Sequence, residues 1–202
     1  MKSILITGAF GQLGIACSNI LEPKFNIIKT GINADSGNDK LDVSSKKDVE
    51  SFLNHHKPDI ILNLAAITNV DGCEHDPEQA DRVNREGVIH LCDGFDGHFI
   101  QLSTDYVFDG EDGPYLEDDT TNPMSIYGKT KLEAETYLIN SKVNHTIIRT
   151  NVVYSYAPET KASFLKWVVQ SLKDSKSINV VSDQWNNPTS TDSLAAFIQK
   201  TI

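Results

Sequence analysis

Residues 1–14 constrain this chain more than any other stretch. Ser3 to Thr7 (SILIT) is a short β-prone apolar run, the pattern of a buried parallel strand. Gly8, Gly11 and Gly14 follow at G-x-x-G-x-x-G spacing, and Ile15 to Leu21 can continue as a helix. Strand, glycine turn and helix in that order let a backbone turn tightly and approach a pyrophosphate. The phosphate then meets free N–H groups at a helix N-terminus. The spacing is one residue longer than the common G-x-G-x-x-G fingerprint, and an ordinary glycine-rich turn is the alternative reading.

Further strands and helices alternate along the chain. Phe25 to Lys29 reads as a second strand. An acidic residue at its end would favour a free ribose 2′-OH and a basic one a 2′-phosphate, but Thr30-Gly31-Ile32-Asn33 decides neither. Asp35 lies near the expected offset but past the strand, so NAD and NADP both stay open. Asp42, beside Val43, suits either an adenine contact or a helix cap, with Ser44 and Ser45 competing for the cap of a helix reaching His56. Pro58 to Asn63 is a third strand, and the small residues Ala65 and Ala66 after it allow close approach of a cofactor or tight packing. Thr68 to Asp71 reads as the start of a loop, and Asp76-Pro77-Glu78 opens a helix with proline at its first position. Asn84 falls inside that helix, where a loop-fixing hydrogen bond is the expected use of its side chain. Phe99 to Ser103 is a fourth strand that delivers Thr104 at its carboxyl end. Asp109 to Asn122, acidic and rich in glycine and proline, reads as a mobile, solvated loop. A helix from Tyr127 to Asn140, a strand from His145 to Thr150, a helix from Ala162 to Leu172, a sixth strand from Ile178 to Val181 and a last helix from Thr191 complete the order. The expectation is an α/β fold: a doubly wound parallel sheet with helices on both faces.

Tyr127 and Lys131 stand at i and i+4, one helix face apart by a single turn. A nearby ammonium favours phenolate, so Lys131 is expected to lower the Tyr127 pKa. A tyrosine so tuned suits the general acid of a carbonyl reduction, and the Thr104 hydroxyl could hold the same oxygen. Alone, Tyr-x-x-x-Lys equally describes a surface tyrosine beside a solvated lysine.

The 202 residues suit one domain with at most a small appendage. A formal charge of −10 argues against nucleic acid and anionic membrane as partners. Cys17, Cys73 and Cys92 show neither zinc nor disulfide spacing and read as buried thiols of a cytoplasmic protein. Neither a secretory signal nor an apolar run of bilayer length is evident, and the histidines show no ligand spacing, so no metal is expected.

Taken together, the glycine turn with Gly11-Gln12-Leu13-Gly14, PDIILNLAAITNVDGCE, Asn84, STDYVFDG, NPMSIYGKTKLEAE, IIRT and SDQWNNPTSTD resemble the dTDP-4-dehydrorhamnose reductase family of the extended short-chain dehydrogenase/reductase superfamily. The resemblance covers the whole chain. It implies a Rossmann-type coenzyme-binding domain over residues 1–150. Residues 151–202 would begin a substrate lobe and return a strand and helix, all within one structural unit. It implies an NAD(P)H-dependent reductase of a nucleotide-linked 4-keto-6-deoxy sugar, with Thr104, Tyr127 and Lys131 catalytic and Tyr127 the proton donor to the C4 oxygen. Gly8, Phe10, Gly11, Gln12 and Leu13 would line the pyrophosphate, and Asp42, Val43, Ala65, Ala66 and Asn84 the rest of the coenzyme. Val70, Asp71, Asp105, Tyr106 and Gln184 match positions near the sugar, and a homodimer is implied.

Three departures bear on substrate. Val152 stands where rhamnose-forming members carry a tryptophan, Asn186 replaces the glycine of the motif Asp-Gln-x-Gly-x-Pro-Thr, and family members continue well past residue 202. Ala16 replaces a glutamate that serves metal-mediated dimerisation in some members. Two other readings compete: a non-catalytic NAD(P)-binding regulatory subunit, like the β subunit of methionine adenosyltransferase, and a nucleotide-sugar epimerase or dehydratase. Tyr106, where dehydratases usually carry glutamate, disfavours dehydration.

Overall fold

Alternate residues of the first strand face opposite ways, and each way meets a layer of helices. In the computed structural model, which describes residues 1–32, 40–155 and 164–202, the chain runs β1 (Ser3–Thr7), α1 (Gln12–Leu21), β2 (Asn26–Lys29), α2 (Lys46–His56) and β3 (Ile60–Asn63). Next come α3 (Val70–His75), α4 (Pro77–Asp81), a π-helical turn (Arg82–Glu86), α5 (Gly87–Cys92), β4 (His98–Thr104) and a 3₁₀ turn (Asp105–Val107). The remainder is α6 (Ile126–Asn140), β5 (Asn144–Thr150), β6 (Val153–Tyr154), α7 (Phe164–Lys173), β7 (Thr189–Ser190) and α8 (Thr191–Thr201).

The main sheet has five parallel strands in the order β2-β1-β3-β4-β5. Ile4 and Ile6 join Ile60, Leu62 and Ile100 on one face, packed against Leu13, Cys17 and Leu21 of α1 and Leu194, Ala195 and Ile198 of α8. Leu5, Ile61 and Phe99 point the other way, onto Val49 of α2, Val88 and Leu91 of α5, and Ala134 and Leu138 of α6. Burial on both faces explains why these strands are apolar throughout rather than alternating. The order reverses between β1 and β3, and a crevice opens there at the carboxyl ends of the strands.

Several expectations change. Ile178–Val181 is not a strand: the segment is exposed at Val180 and Val181. Instead β6 and β7 form a separate two-stranded parallel ladder. The stretch after Thr68 turns helical at Val70, because the Asn69 carboxamide caps α3 by accepting from the Gly72 N–H at 3.0 Å. Ser45, not Asp42, caps α2; Asp42 Oδ1 instead accepts from the Ser44 N–H (2.9 Å) and hydroxyl (2.7 Å). Residues 109–122 are largely exposed, as expected of a solvated loop, but make specific contacts. Tyr115 donates to Asp109 at 2.5 Å and stacks on Phe108 at 4.4 Å, and Arg149 donates to the Glu117 carbonyl at 2.9 Å. Asp35 and the start of the helix expected from Ala162 lie outside the described residues.

All three cysteines are buried, and burial pushes the Cys17 and Cys92 thiols up to about 12. Thiolate is the reactive form. With a thiol-specific reagent near pH 8, these two should label on the order of a thousandfold more slowly than a free cysteine. Rapid labelling should appear only when denaturant is added; rapid labelling of the native chain would contradict the packing of α1 and α5.

Candidate active site

The cleft at the switch point encloses about 710 Å³, a size suited to a small-molecule ligand. One wall is the glycine turn. Gly8 has φ +64°, and a Cβ there would come 2.9 Å from the Leu64 backbone, so both conformation and contact demand glycine. Helix α1 then starts at Gln12 with no side-chain cap from Gly11, leaving the N-terminus of a ten-residue helix directed at the cleft. That arrangement fits the pyrophosphate of a dinucleotide coenzyme.

The floor is a buried line of polar side chains that closes the strand ends. The Thr7 hydroxyl donates to Asn63 Oδ1 (2.5 Å) and accepts from the Leu64 and Ala65 N–H groups (3.2 Å each). Asn63 Nδ2 donates to Gln101 Oε1 (2.8 Å), and Gln101 Nε2 donates to the Leu102 carbonyl (2.8 Å). The same carbonyl accepts from Lys131 Nζ at 2.7 Å. Thr7, Asn63 and Gln101 are each at most 2% exposed. Sequence reading passed over them, although Thr7 and Asn63 close apolar strand runs and Gln101 interrupts one, which is the signal that would have found them.

Helix α6 brings Tyr127 and Lys131 to the cleft beside Thr104. Its first turn is held twice: Ser125 Oγ accepts from the Gly128 N–H (3.1 Å), and Glu74 Oε1 from the Ile126 N–H (2.7 Å). Gly128 was also missed; a Cβ there would fall 2.2 Å from the Tyr106 carbonyl, so only glycine lets α6 seat against the 3₁₀ turn. The Thr104 hydroxyl donates to Asp105 Oδ1 and accepts from the Tyr106 N–H, both at 3.2 Å.

The electrostatics overturn one expectation. Burial pushes the Tyr127 phenol up to about 12, with a hydrogen bond to Thr104 opposing only in part. Lys131 does not depress it: its ammonium is drawn to the Leu102 carbonyl, and its own burial brings it down to about 8 despite Glu135 pulling upward. Burial also raises Asp105.

Of the expected residues, Gly8, Gly11, Gln12, Leu13, Asp42 and Val43 line one side of the cleft. Ala65, Ala66, Val70, Thr104, Asp105 and Tyr106 line the other with Tyr127 and Lys131, and Val152 also faces in. Four lie outside its walls. The Phe10 ring covers Gly31, where a Cβ would meet it at 2.9 Å. Asn84, in the π-helical turn, is spent on Ile67 N–H (2.8 Å), Ile67 carbonyl (3.1 Å) and Thr130 (3.1 Å), the loop-fixing role its position suggested. Asp71 faces outward on α3, and Gln184 is exposed in the loop before β7.

Asn63→Ala should lower stability by about 2 kcal/mol or more in urea unfolding, because it strands the Thr7 hydroxyl and Gln101 carbonyl oxygen away from water. A change within about 0.5 kcal/mol would show that water or a neighbour replaces the amide.

Comparison with known proteins agrees with this architecture. The family described as RmlD substrate binding domain matches residues 1–202. The dTDP-4-dehydrorhamnose reductase of Sinorhizobium fredii is 37% identical over 199 residues, covering 96% of this chain and 64% of the relative. The chain thus spans somewhat under two thirds of that relative's length. A crystal structure of the Clostridium acetobutylicum dTDP-4-dehydrorhamnose reductase superposes with TM-score 0.87 at 37% identity, covering 98% of this chain and 69% of that one. The Bacillus anthracis enzyme, solved in complex with NADP, gives TM-score 0.88 at 30% identity over 100% of this chain and 70% of that one. On these matches, and on the cleft they share a fold with, the chain belongs to the dTDP-4-dehydrorhamnose reductase family.

Proposed function

We propose that this protein reduces the C4 ketone of a nucleotide-linked 4-keto-6-deoxy sugar to an alcohol at the expense of NADPH or NADH. The observation that carries the reading is the convergence of Thr104, Tyr127 and Lys131 on one cleft with the uncapped start of α1. The NADP bound by the Bacillus anthracis relative supports a nicotinamide coenzyme. Residues 1–150 would hold the coenzyme, and residues 151–202 would begin the lobe that covers the sugar. A homodimer is proposed on the family likeness alone. The buried thiols suit a reducing cytoplasm, and no helix among the described residues is long and apolar enough to cross a membrane.

The coenzyme, when bound, supplies the hydride. The chain supplies the proton and the orientation. Tyr127, with its pKa raised to about 12 by burial, stays protonated across neutral pH and so is a proton donor rather than a base. As the ketone carbon gains a hydride, its oxygen gains negative charge and takes the Tyr127 proton. Thr104 holds that oxygen by a second hydrogen bond. Lys131, held at the cleft by the Leu102 carbonyl, would bind hydroxyls of the coenzyme ribose. Val152 leaves a smaller surface at the sugar than an aromatic side chain would, so the sugar accepted need not be that of the rhamnose-forming relatives.

Oxidation of reduced nicotinamide on addition of dTDP-4-keto-6-deoxyhexose tests the reading. Tyr127→Phe should lower kcat by on the order of a hundredfold or more with coenzyme affinity nearly intact. Unchanged turnover in that variant would remove Tyr127 from the chemistry, and tight coenzyme binding with no turnover of any sugar nucleotide would favour a binding-only role. The alkaline side of the rate profile should fall near the Lys131 pKa of about 8, because the ammonium is present below that pH and lost above it.

A further inference from the structure

A buried carboxylate paired with a partly exposed guanidinium stands behind the cleft. Glu135 lies one helical turn beyond Lys131 on α6 and is 0% exposed. Its carboxylate accepts a hydrogen bond from the Ser103 hydroxyl. From β5, Arg149 reaches both carboxylate oxygens with Nε (3.1 Å each) and Oε2 again with Nη2 (2.7 Å). The guanidinium is itself fixed, donating through Nη1 to the Glu117 carbonyl and lying 5.2 Å from the centre of the Phe108 ring.

Net stability is a poor reason for such a cluster, since a well-packed apolar pair often serves a core equally well. Its position suggests another. Ser103 sits between Leu102, whose carbonyl holds Lys131, and Thr104, while Glu135 shares its helix with Tyr127 and Lys131. The other titratable groups that line the cleft with Lys131 are Tyr127 on α6, Asp105 on the 3₁₀ turn and Asp42 before α2, while Arg149 of β5 is held on Glu135. Tyr127 keeps its proton across neutral pH, and burial raises Asp105. Glu135, one turn along the same helix, is the carboxylate whose charge raises Lys131 against the effect of burial.

We propose that the Ser103–Glu135–Arg149 cluster is a positioning element of this site: it locks the end of β4 to α6, and the Glu135 carboxylate is the countercharge that keeps Lys131 protonated where water is scarce. Its kinetic consequence rests on the reductase reading, but its effect on Lys131 is a property of the chain alone.

The test is an NMR pH titration of lysine ¹³Cε resonances without coenzyme, with the Lys131 signal assigned by its loss in Lys131→Met. The unaltered chain should give a midpoint near the value of about 8 that burial and Glu135 together set. Glu135→Gln keeps size and an acceptor for Ser103 but removes the charge, and should lower the midpoint by about one unit. Arg149→Met leaves the carboxylate unneutralised and should raise it. If Glu135→Gln does not fold, the double variant Glu135→Gln/Arg149→Met removes both members of the ion pair, leaves no guanidinium without its carboxylate, and should still lower the midpoint. A midpoint unmoved in a folded variant lacking the carboxylate, or moved the same way by both single changes, overturns the proposal. The alkaline limb of kcat should move with the NMR midpoint, whereas a merely structural role would lower the melting temperature and leave both in place. Absence of turnover by the unaltered chain would count against the reductase reading while the NMR result still decides this one.

Discussion

Everything in the site hangs on how the carboxyl ends of β1, β3 and β4 satisfy their polar groups. Thr7 and Asn63 end β1 and β3, and Gln101 lies beside Asn63 within β4; the three form a hydrogen-bonded line out of contact with water, closed by the Leu102 carbonyl. A buried polar group without a partner costs far more than a hydrogen bond returns, so each member fixes the next. The line begins beneath the glycine turn and finishes on the Lys131 ammonium. The glycine turn and the Lys131 ammonium, at the two ends of the cleft, are therefore joined by one hydrogen-bonded line rather than by separate loops.

Burial is the second controlling influence, and it acts oppositely on the two central groups. Desolvation penalises phenolate and ammonium alike, so it raises Tyr127 and lowers Lys131. For a proton donor this is favourable: the phenol keeps its proton until charge develops on a substrate oxygen beside it. For the lysine it is a cost, offset in part by Glu135 one turn away. The expectation of a lysine-depressed tyrosine considered charge and helical spacing alone. It left out desolvation, which no sequence spacing reports.

The layered fold was legible because both of its signals are local. Apolar strand runs and glycine punctuation placed β1, β3, β4 and β5 within a residue or two, and Pro77 marked the start of α4. The cleft-lining residues on the glycine turn and on α6 followed from chemistry carried in contiguous motifs. What escaped depends on distant contacts. Ile178–Val181 has strand-like composition but no neighbour to pair with, and composition alone cannot supply one. The contacts of residues 109–122, to Arg149 and between Tyr115 and Asp109, are likewise invisible as spacing. Phe10 sits in the glycine turn yet turns its ring onto Gly31, a contact fixed only when β2 lies beside β1.

The proposed function requires this cleft to hold a nicotinamide dinucleotide through the turn at Gly8 and the start of α1. The most direct measurement is a titration of the purified chain with NADPH and, separately, NADH, following the fluorescence of the reduced nicotinamide. The account predicts saturable binding of one coenzyme per chain, abolished by Gly8→Val, whose side chain has no room against the Leu64 backbone and no access to φ +64°. Absence of saturable binding by either coenzyme, or binding that Gly8→Val leaves untouched in a folded chain, would contradict it.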